Sequence, residues 1–162
     1  MSNVSTLPPA SEVPLLGRAD APGLAGVPGD RPFRDPVPLV SVCVPMRNEA
    51  GYIEACLDGF AAQTHPVDRL EVIVVDAGST DGSRQTVEAR QADEPWIRIV
   101  DNPRTKAAAA FNRGLESATG EVFCLFSAHG VPDPDYVARS VAVLAETGVT
   151  GVGGQYLSLI HI

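Results

Sequence analysis

Apolar and polar positions fall in blocks along the middle of this chain, and the blocks change period in a regular order. Leu39-Val40-Ser41-Val42-Cys43-Val44-Pro45 is a short apolar, β-branched run stopped by proline. That is the pattern of a parallel strand covered on both faces. Tyr52, Ile53, Cys56, Leu57 and Phe60 then recur at helical spacing, ahead of a second strand run, Leu70-Glu71-Val72-Ile73-Val74-Val75. Ser79-Thr80-Asp81 supplies cap chemistry for a polar helix through about Ala92, and Trp96-Ile97-Arg98-Ile99-Val100 predicts a shorter third strand. Ala107 to Ala118 is helical by propensity and ends at Gly120, and Glu121-Val122-Phe123-Cys124-Leu125-Phe126 reads as a fourth strand. Tyr136, Val137, Val141 and Leu144 mark a last helix before a strand-like stretch from Val149 to Gly153. Strands and helices in alternation imply right-handed crossovers, hence an α/β fold with a mainly parallel, helix-covered sheet.

The two ends of the chain have a different character. Residues 1–38 hold eight of the 14 prolines and four of the 15 glycines with no periodic apolar face, which predicts a disordered leader. At the other end, Leu157-Ser158-Leu159-Ile160-His161-Ile162 is the translation of CTGTCTCTTATACACATC, the transposon end used in making sequencing libraries. It follows Tyr156 with no loop or cap. The expectation is a gene cut near Tyr156 with adapter-encoded residues appended at 157–162, the alternative being a real C-terminal strand. A natural stop codon after Ile162 would decide for the alternative. The domain is therefore expected over residues 39–156.

Composition narrows the classes. A chain of 162 residues, 44% apolar and 20% charged, has room for one soluble domain. Twelve basic against 20 acidic residues leave a net charge of −8, which argues against a nucleic-acid partner. Lys106 is the only lysine, so there is no polybasic run for anionic lipid. No run of apolar residues is long enough to span a bilayer, so membrane association is expected only through C-terminal segments missing from this sequence. Cys43, Cys56 and Cys124 are odd in number, far apart and each inside an apolar segment; they read as reduced core residues of a cytosolic protein.

In open α/β sheets a ligand lies outside the carboxyl ends of the strands, where strand-to-helix loops and helix N-termini converge. Each predicted strand here is followed by polar residues: Met46-Arg47-Asn48-Glu49, then Asp76-Ala77-Gly78-Ser79-Thr80-Asp81-Gly82, then Asp101-Asn102-Pro103-Arg104-Thr105-Lys106, then Ser127-Ala128-His129. A structural sheet needs caps there, but not this mixture of carboxylates, two guanidinium groups and the single ammonium. The mixture suits a ligand with both phosphates and hydroxyl or imide groups, a nucleotide. Gly78 and Gly82 are expected to serve backbone geometry, with Ser79, Thr80 and Asp81 equally explained as caps or contacts.

Three motifs in order, Val42-Cys43-Val44-Pro45-Met46-Arg47-Asn48-Glu49, Val74-Val75-Asp76-Ala77-Gly78-Ser79-Thr80-Asp81-Gly82, and Lys106 ahead of Phe111-Asn112-Arg113-Gly114, resemble the donor-binding half of a family 2 glycosyltransferase. The subgroup they are most similar to is the succinoglycan biosynthesis glycosyltransferases. The resemblance covers about residues 39–156 and implies a Rossmann-like GT-A fold. It implies that Pro45, Arg47, Asn48 and Glu49 form the first loop around the nucleoside, that Asp76 accepts a hydrogen bond from the base, and that Lys106 faces the diphosphate. Without a ligand the same residues read as a strand-end turn with a capping glutamate, a cap and a solvated lysine. Arg104 is a second candidate for the phosphate. Asn112 and Arg113 fit either a polar helix face or the donor cleft.

The resemblance also implies a divalent ion, Mn2+ or Mg2+, held after the fourth strand by an aspartate pair or by Asp-Ala-His. This sequence has Ser127-Ala128-His129, so the first carboxylate is missing and His129 is left as the candidate ligand, or as a plain loop histidine. Magnesium prefers oxygen ligands, and histidine suits manganese better. Asp133 and Asp135 are read as the start of the last helix.

The activity implied is inverting transfer of a sugar from a nucleotide-diphosphate sugar to an acceptor hydroxyl. The acceptor would be a glycan or lipid-linked sugar, in exopolysaccharide or other cell-surface glycan synthesis, at the cytoplasmic face of the membrane. The catalytic general base is expected beyond the matched region, which would leave this fragment inactive alone. A non-catalytic nucleotide-binding module is the alternative. A dinucleotide-dependent oxidoreductase fits less well, because Pro45-Met46-Arg47 stands where Gly-x-Gly-x-x-Gly would follow the first strand.

Overall fold

A computed structural model describes residues 33–149 and 151–153. The elements run β1 (Val40–Met46), α1 (Ile53–Ala61), β2 (Leu70–Asp76), α2 (Ser83–Asp93), β3 (Ile97–Asp101), α3 (Ala107–Ser117), β4 (Val122–Leu125) and α4 (Tyr136–Thr147), with one 3₁₀ turn at Val67–Arg69. All strand pairs are parallel, in the order β3-β2-β1-β4, with Val40 level with both Leu70 and Val122, and Val72 level with Ile97. The α/β class and the parallel sheet stand as the hydrophobic pattern predicts.

Burial follows the strand order. All seven residues of β2 are buried, as are six of the seven in β1, whereas β3 and β4 are only partly covered. Helices cover the two faces unequally. Val40, Val42, Val44 and Met46 point to a larger core with Ile53, Leu57 and Phe60 of α1, Val87 of α2 and Val137 of α4. Phe126 joins it edge-on to Phe60 and Tyr136. Cys43, Ile73 and Val75 point the other way, to a smaller core against Ala110 of α3. The alternation of a strand's side chains between faces produces this division.

The chain winds β1 to β2 to β3 outward, then returns across the sheet through α3 to place β4 on the other side of β1. That reversal lies between β1 and β4, the point where open sheets of this kind leave a crevice. Backbone bonds continue the ladder past the strands: Ala77 N–H donates to the Met46 carbonyl (2.9 Å), Asn102 N–H to Asp76 (2.7 Å) and Phe126 N–H to Cys43 (2.9 Å). The loops at the carboxyl end are thereby fixed to one another at their roots.

Two boundaries differ from those expected. Residues 33–38, assigned above to the leader, dock on the domain: Phe33 packs against the larger core, Asp35 pairs with Arg69 (3.1 Å) and the Pro38 carbonyl meets His65 Nε2 (3.1 Å). One aromatic ring and two polar partners anchor a segment that has no periodic face of its own. Val149 and residues 151–153 form no strand among the described residues. Gly148 ends α4 in the left-handed conformation (φ 66°), and the glycines that follow weaken extended structure. The expected leader over 1–32 and the tail at 157–162 lie outside the described residues.

Candidate functional site

Three strand ends and the start of α3 enclose a cleft of about 190 Å³. Pro45, Met46, Arg47 and Glu49 line it from β1, Val75 and Ala77 from β2, and Asn102, Thr105, Lys106, Ala107 and Ala110 from the turn into α3. Of the residues expected from sequence, Pro45, Arg47, Glu49 and Lys106 thus share one cavity.

The remaining expected residues hold the walls. Asn48 takes a left-handed backbone (φ 58°), its N–H donates to Ser79 Oγ (2.9 Å) and its Oδ1 accepts from Thr80 N–H (2.8 Å). Asp81 accepts from Ala50 N–H (2.9 Å) and from Ser83 at the start of α2, and the Ser83 and Ala50 bonds hold its carboxyl below the usual value. These bonds sew the loop after β1 to the loop after β2. The latter turns through Gly78 (φ 79°) and Gly82 (φ 98°), the geometry expected of those glycines.

Asp76 is 2% exposed, beneath the loop and outside the cleft lining. Its Oδ1 accepts from Ser79 Oγ (2.6 Å) and Ser79 N–H (3.1 Å), and its Oδ2 faces Arg84 Nη1 (3.1 Å). Arg84 also reaches Asp101 (2.6 Å) and Glu88 (2.7 Å), and these three carboxylates raise its already high pKa further. Arg113 is likewise turned to the Asp101 carbonyl and Glu116, and Arg104 and Asn112 are exposed outside the lining.

Two residues of the cleft stand out only in three dimensions. Asn102 is 2% exposed; its Nδ2 donates to the Lys106 carbonyl (3.1 Å), while its Oδ1 has no hydrogen-bond partner among the described residues. Buried acceptors are normally satisfied, and an orphan in a cavity wall is a place for a ligand's N–H or O–H. Thr105 has φ 54°, a conformation costly for a β-branched residue. It closes the turn by donating its N–H to the Asn102 carbonyl (3.2 Å) and delivers Lys106 as the N-cap of α3, with no side chain capping that helix. Asn102 and Thr105 fall in a polar run the sequence flags as a whole, but burial and backbone strain carry no one-dimensional signal.

After β4, Ser127 Oγ lies 3.0 Å from His129 Nε2, and His129 Nδ1 lies 3.4 Å from Glu49 Oε1, a chain of contacts across the crevice. Tyr52 meets the same imidazole edge-on at 6.4 Å. Beneath, the Cys56 thiol donates to the Ser127 carbonyl (3.7 Å). Burial, aided by the nearby Glu49 charge, pushes Cys56 up to about 12, so this thiol stays protonated. No disulfide forms among the three cysteines.

The donor set does not fit the divalent ion that the family resemblance implies. Ser127 offers a neutral hydroxyl where a carboxylate is expected, and both His129 nitrogens face partners. Among the described residues no three His, Cys, Asp or Glu side chains come together as ligands. Asp135 is turned to Arg139 (3.1 Å) at the start of α4, and Asp133 gives its carbonyl to Tyr136 N–H, as the helix-start reading has it.

The sequence matches the family described as Glycosyl transferase family 2 over residues 41–158. It is 34% identical over 122 residues to "Glycosyltransferase AglE" of Haloferax volcanii, covering 74% of this chain and 40% of that one. It is 32% identical over 113 residues to "Succinoglycan biosynthesis protein ExoA" of Rhizobium meliloti, covering 68% and 34%. Among solved structures it is similar to the mannosyltransferase PcManGT from Pyrobaculum calidifontis in complex with GDP-Man and Mn2+ (39% identity, TM-score 0.64, 69% of this chain and 34% of that one). The fold is also that of S. aureus TarS (24% identity, TM-score 0.61, 72% and 37%). The chain therefore spans between a third and two fifths of these relatives, and its α/β architecture is of the GT-A class.

Proposed function

The chain belongs to glycosyl transferase family 2, and from that premise we propose that its cleft holds the nucleoside diphosphate of an activated sugar, which the full-length enzyme transfers to an acceptor hydroxyl. The observation that carries this reading is the convergence of Arg47, Lys106 and the uncapped start of α3 on one cavity at the carboxyl ends of β1, β2 and β3. Two cations and free helix N–H groups are what a diphosphate requires. A lysine at that end of a helix is unfavourable without an anion to bridge it. Asn102 Oδ1 supplies an acceptor for an N–H or O–H of the nucleoside. Asp76 acts from below, holding the loop after β2 through Ser79 and Arg84. Likeness to PcManGT, whose structure contains GDP-Man, supports a nucleotide sugar as ligand.

Chemistry follows from charge. As the glycosidic bond to phosphate breaks, negative charge grows on the leaving diphosphate, and preorganised cations stabilise that change more than they stabilise the ground state. The acceptor hydroxyl needs a base, normally a carboxylate, and inversion follows if it attacks opposite the leaving group. That base belongs to the longer protein. Similarity to a protein of succinoglycan biosynthesis supports a role in exopolysaccharide or other cell-surface glycan synthesis; a glycan or lipid-linked acceptor and a place at the inner face of the cell membrane are the rest of this reading. Among the described residues no helix is long and apolar enough to cross a membrane.

Calorimetric titration of this chain with UDP, GDP and NAD tests the reading. Binding of UDP or GDP, weakened about tenfold (about 1.4 kcal/mol) in Lys106→Ala, is expected. Equal or tighter binding of NAD, or no nucleotide binding at all, would refute it. Ser127 favours the second reading, a nucleotide-binding module without turnover, and donor hydrolysis by the full-length protein decides between the two.

A further inference from the structure

The crevice between β1 and β4 poses a question of charge. The diphosphate proposed for the neighbouring cleft must be neutralised, yet Ser127, His129 and Glu49, which meet across this crevice, do not form a metal site. We infer that this chain binds a nucleoside diphosphate without a divalent cation, Arg47, Lys106 and the amides that begin α3 supplying the positive charge. The inference rests on the proposed reading of the cleft and deepens it.

Three observations converge. First, position 127 lies outside the cleft lining and is joined to the cleft through His129 and Glu49, where a carboxylate would add a second anion on the Glu49 side of the cleft. Ser127 is neutral, so it removes both a ligand for a cation and the repulsion that calls for one. Second, Glu49 is the carboxylate that lines the cleft, and it is directed at His129 Nδ1, while His129 Nε2 faces Ser127 Oγ. A metal could take Glu49 only by breaking this chain of contacts, and it would gain a single carboxylate, so the diphosphate and water would have to supply the rest of its oxygen shell and the protein's own hold on it would be weak. Third, the cations are free to act. Neither Arg47 nor Lys106 makes an ion pair among the described residues, whereas Arg69, Arg84, Arg90, Arg98, Arg113 and Arg139 all do. The start of α3 adds roughly half a unit of positive charge. The left-handed Thr105 and the orphaned Oδ1 of Asn102 lie on the same wall, so strain and an unused acceptor coincide with the cations.

Titrate the whole chain with UDP and with GDP, once in excess EDTA and once in millimolar Mn2+, and record the Mn2+ electron paramagnetic resonance spectrum without nucleotide. The expected affinities agree within about threefold in the two buffers, and the free-ion spectrum is unattenuated. Affinity falls as salt rises, because exposed side-chain charges are screened. Ser127→Asp should weaken binding in EDTA by about tenfold and regain it in Mn2+, with part of the Mn2+ signal lost to bound ion. Tightening of the wild-type chain by about tenfold or more in Mn2+ overturns the inference and leaves the nucleotide reading standing. Binding in neither buffer overturns the nucleotide reading, and this inference with it. The wild-type titration decides by itself if Ser127→Asp does not fold.

Discussion

The two ends of the sheet differ in how completely their polar groups are satisfied. Where the strands begin, Glu71 is buried between Ser41, Thr119 and Arg98. Its Oε1 accepts from Ser41 Oγ, from Thr119 N–H (2.6 Å) and from Thr119 Oγ1 (3.0 Å), and its Oε2 faces Arg98 Nη2 (2.9 Å). Gly120 N–H closes the set on Ser41 Oγ (2.8 Å), and Arg98 also donates to the Ser117 carbonyl (2.6 Å). Where the strands end, Arg47 and Lys106 have no ion-pair partner and Asn102 Oδ1 no donor among the described residues, and Thr105 is strained. Polar groups that satisfy one another hold a fold together. Polar groups left open in a cavity await something else, and helix α3 joins the two arrangements, with Lys106 at one end and Ser117 at the other.

Breaking the closed end should cost most. Glu71→Ala leaves Arg98 and the Thr119 N–H without their acceptor, and we expect a loss of about 3 kcal/mol in urea unfolding, with nucleotide affinity of the folded fraction unchanged. Glu71 also makes the contrast pH-dependent. Burial works to raise its carboxyl, but the bonds from Ser41 and Thr119 and the Arg98 charge outweigh it and set it below the ordinary 4.5. A depressed folded value means that its stabilisation is complete above 4.5 and drains away as the pH falls below it. Unfolding midpoints between pH 7 and pH 3 should therefore fall further for wild type than for Glu71→Gln.

The link between the ends comes next. A Cβ at Gly114 would lie 2.3 Å from Cys43 Sγ and 2.9 Å from its Cβ, so Gly114→Ala should push α3 off the sheet at a cost of about 2 kcal/mol. Combining it with Cys43→Ala should recover part of that loss, a coupling that thermal melts of the four proteins would expose. If the two changes add, α3 is not seated on Cys43.

Smaller effects are expected at the open end, and in function rather than stability. Asn102→Leu should lower UDP or GDP affinity about tenfold (about 1.4 kcal/mol) while moving the unfolding free energy by less than about 1 kcal/mol. A variant that unfolds but still binds would make Asn102 a member of the closed kind. Thr105→Gly relieves the left-handed strain and should stabilise the fold by about 1 kcal/mol, with slightly weaker nucleotide binding as the turn before Lys106 loosens. Loss of stability there would mean that the Thr105 side chain contributes more than its backbone costs.

Much of this was legible along the chain. Runs such as Val42 to Val44 and Val72 to Val75 announced central strands because apolar β-branched residues without polar alternation leave no face for water. Pro45, Arg47, Glu49 and Lys106 could be gathered in advance because parallel strands carry whatever follows them to one edge. The docking of Phe33 was not legible, since a lone aromatic among prolines shows no period. Asp76 closes β2 and Asn102 follows the end of neighbouring β3, and the two look interchangeable in sequence, yet the first is saturated by Ser79 and Arg84 and the second is left with a bare acceptor among the described residues. Sequence determined what could be local: the period of each segment, the caps, and the order in which polar loops reach the sheet's carboxyl edge. Tertiary structure alone decided which of those polar groups find partners, because a hydrogen bond between Glu49 and His129, or its absence at Asn102, depends on positions that backbone spacing does not encode.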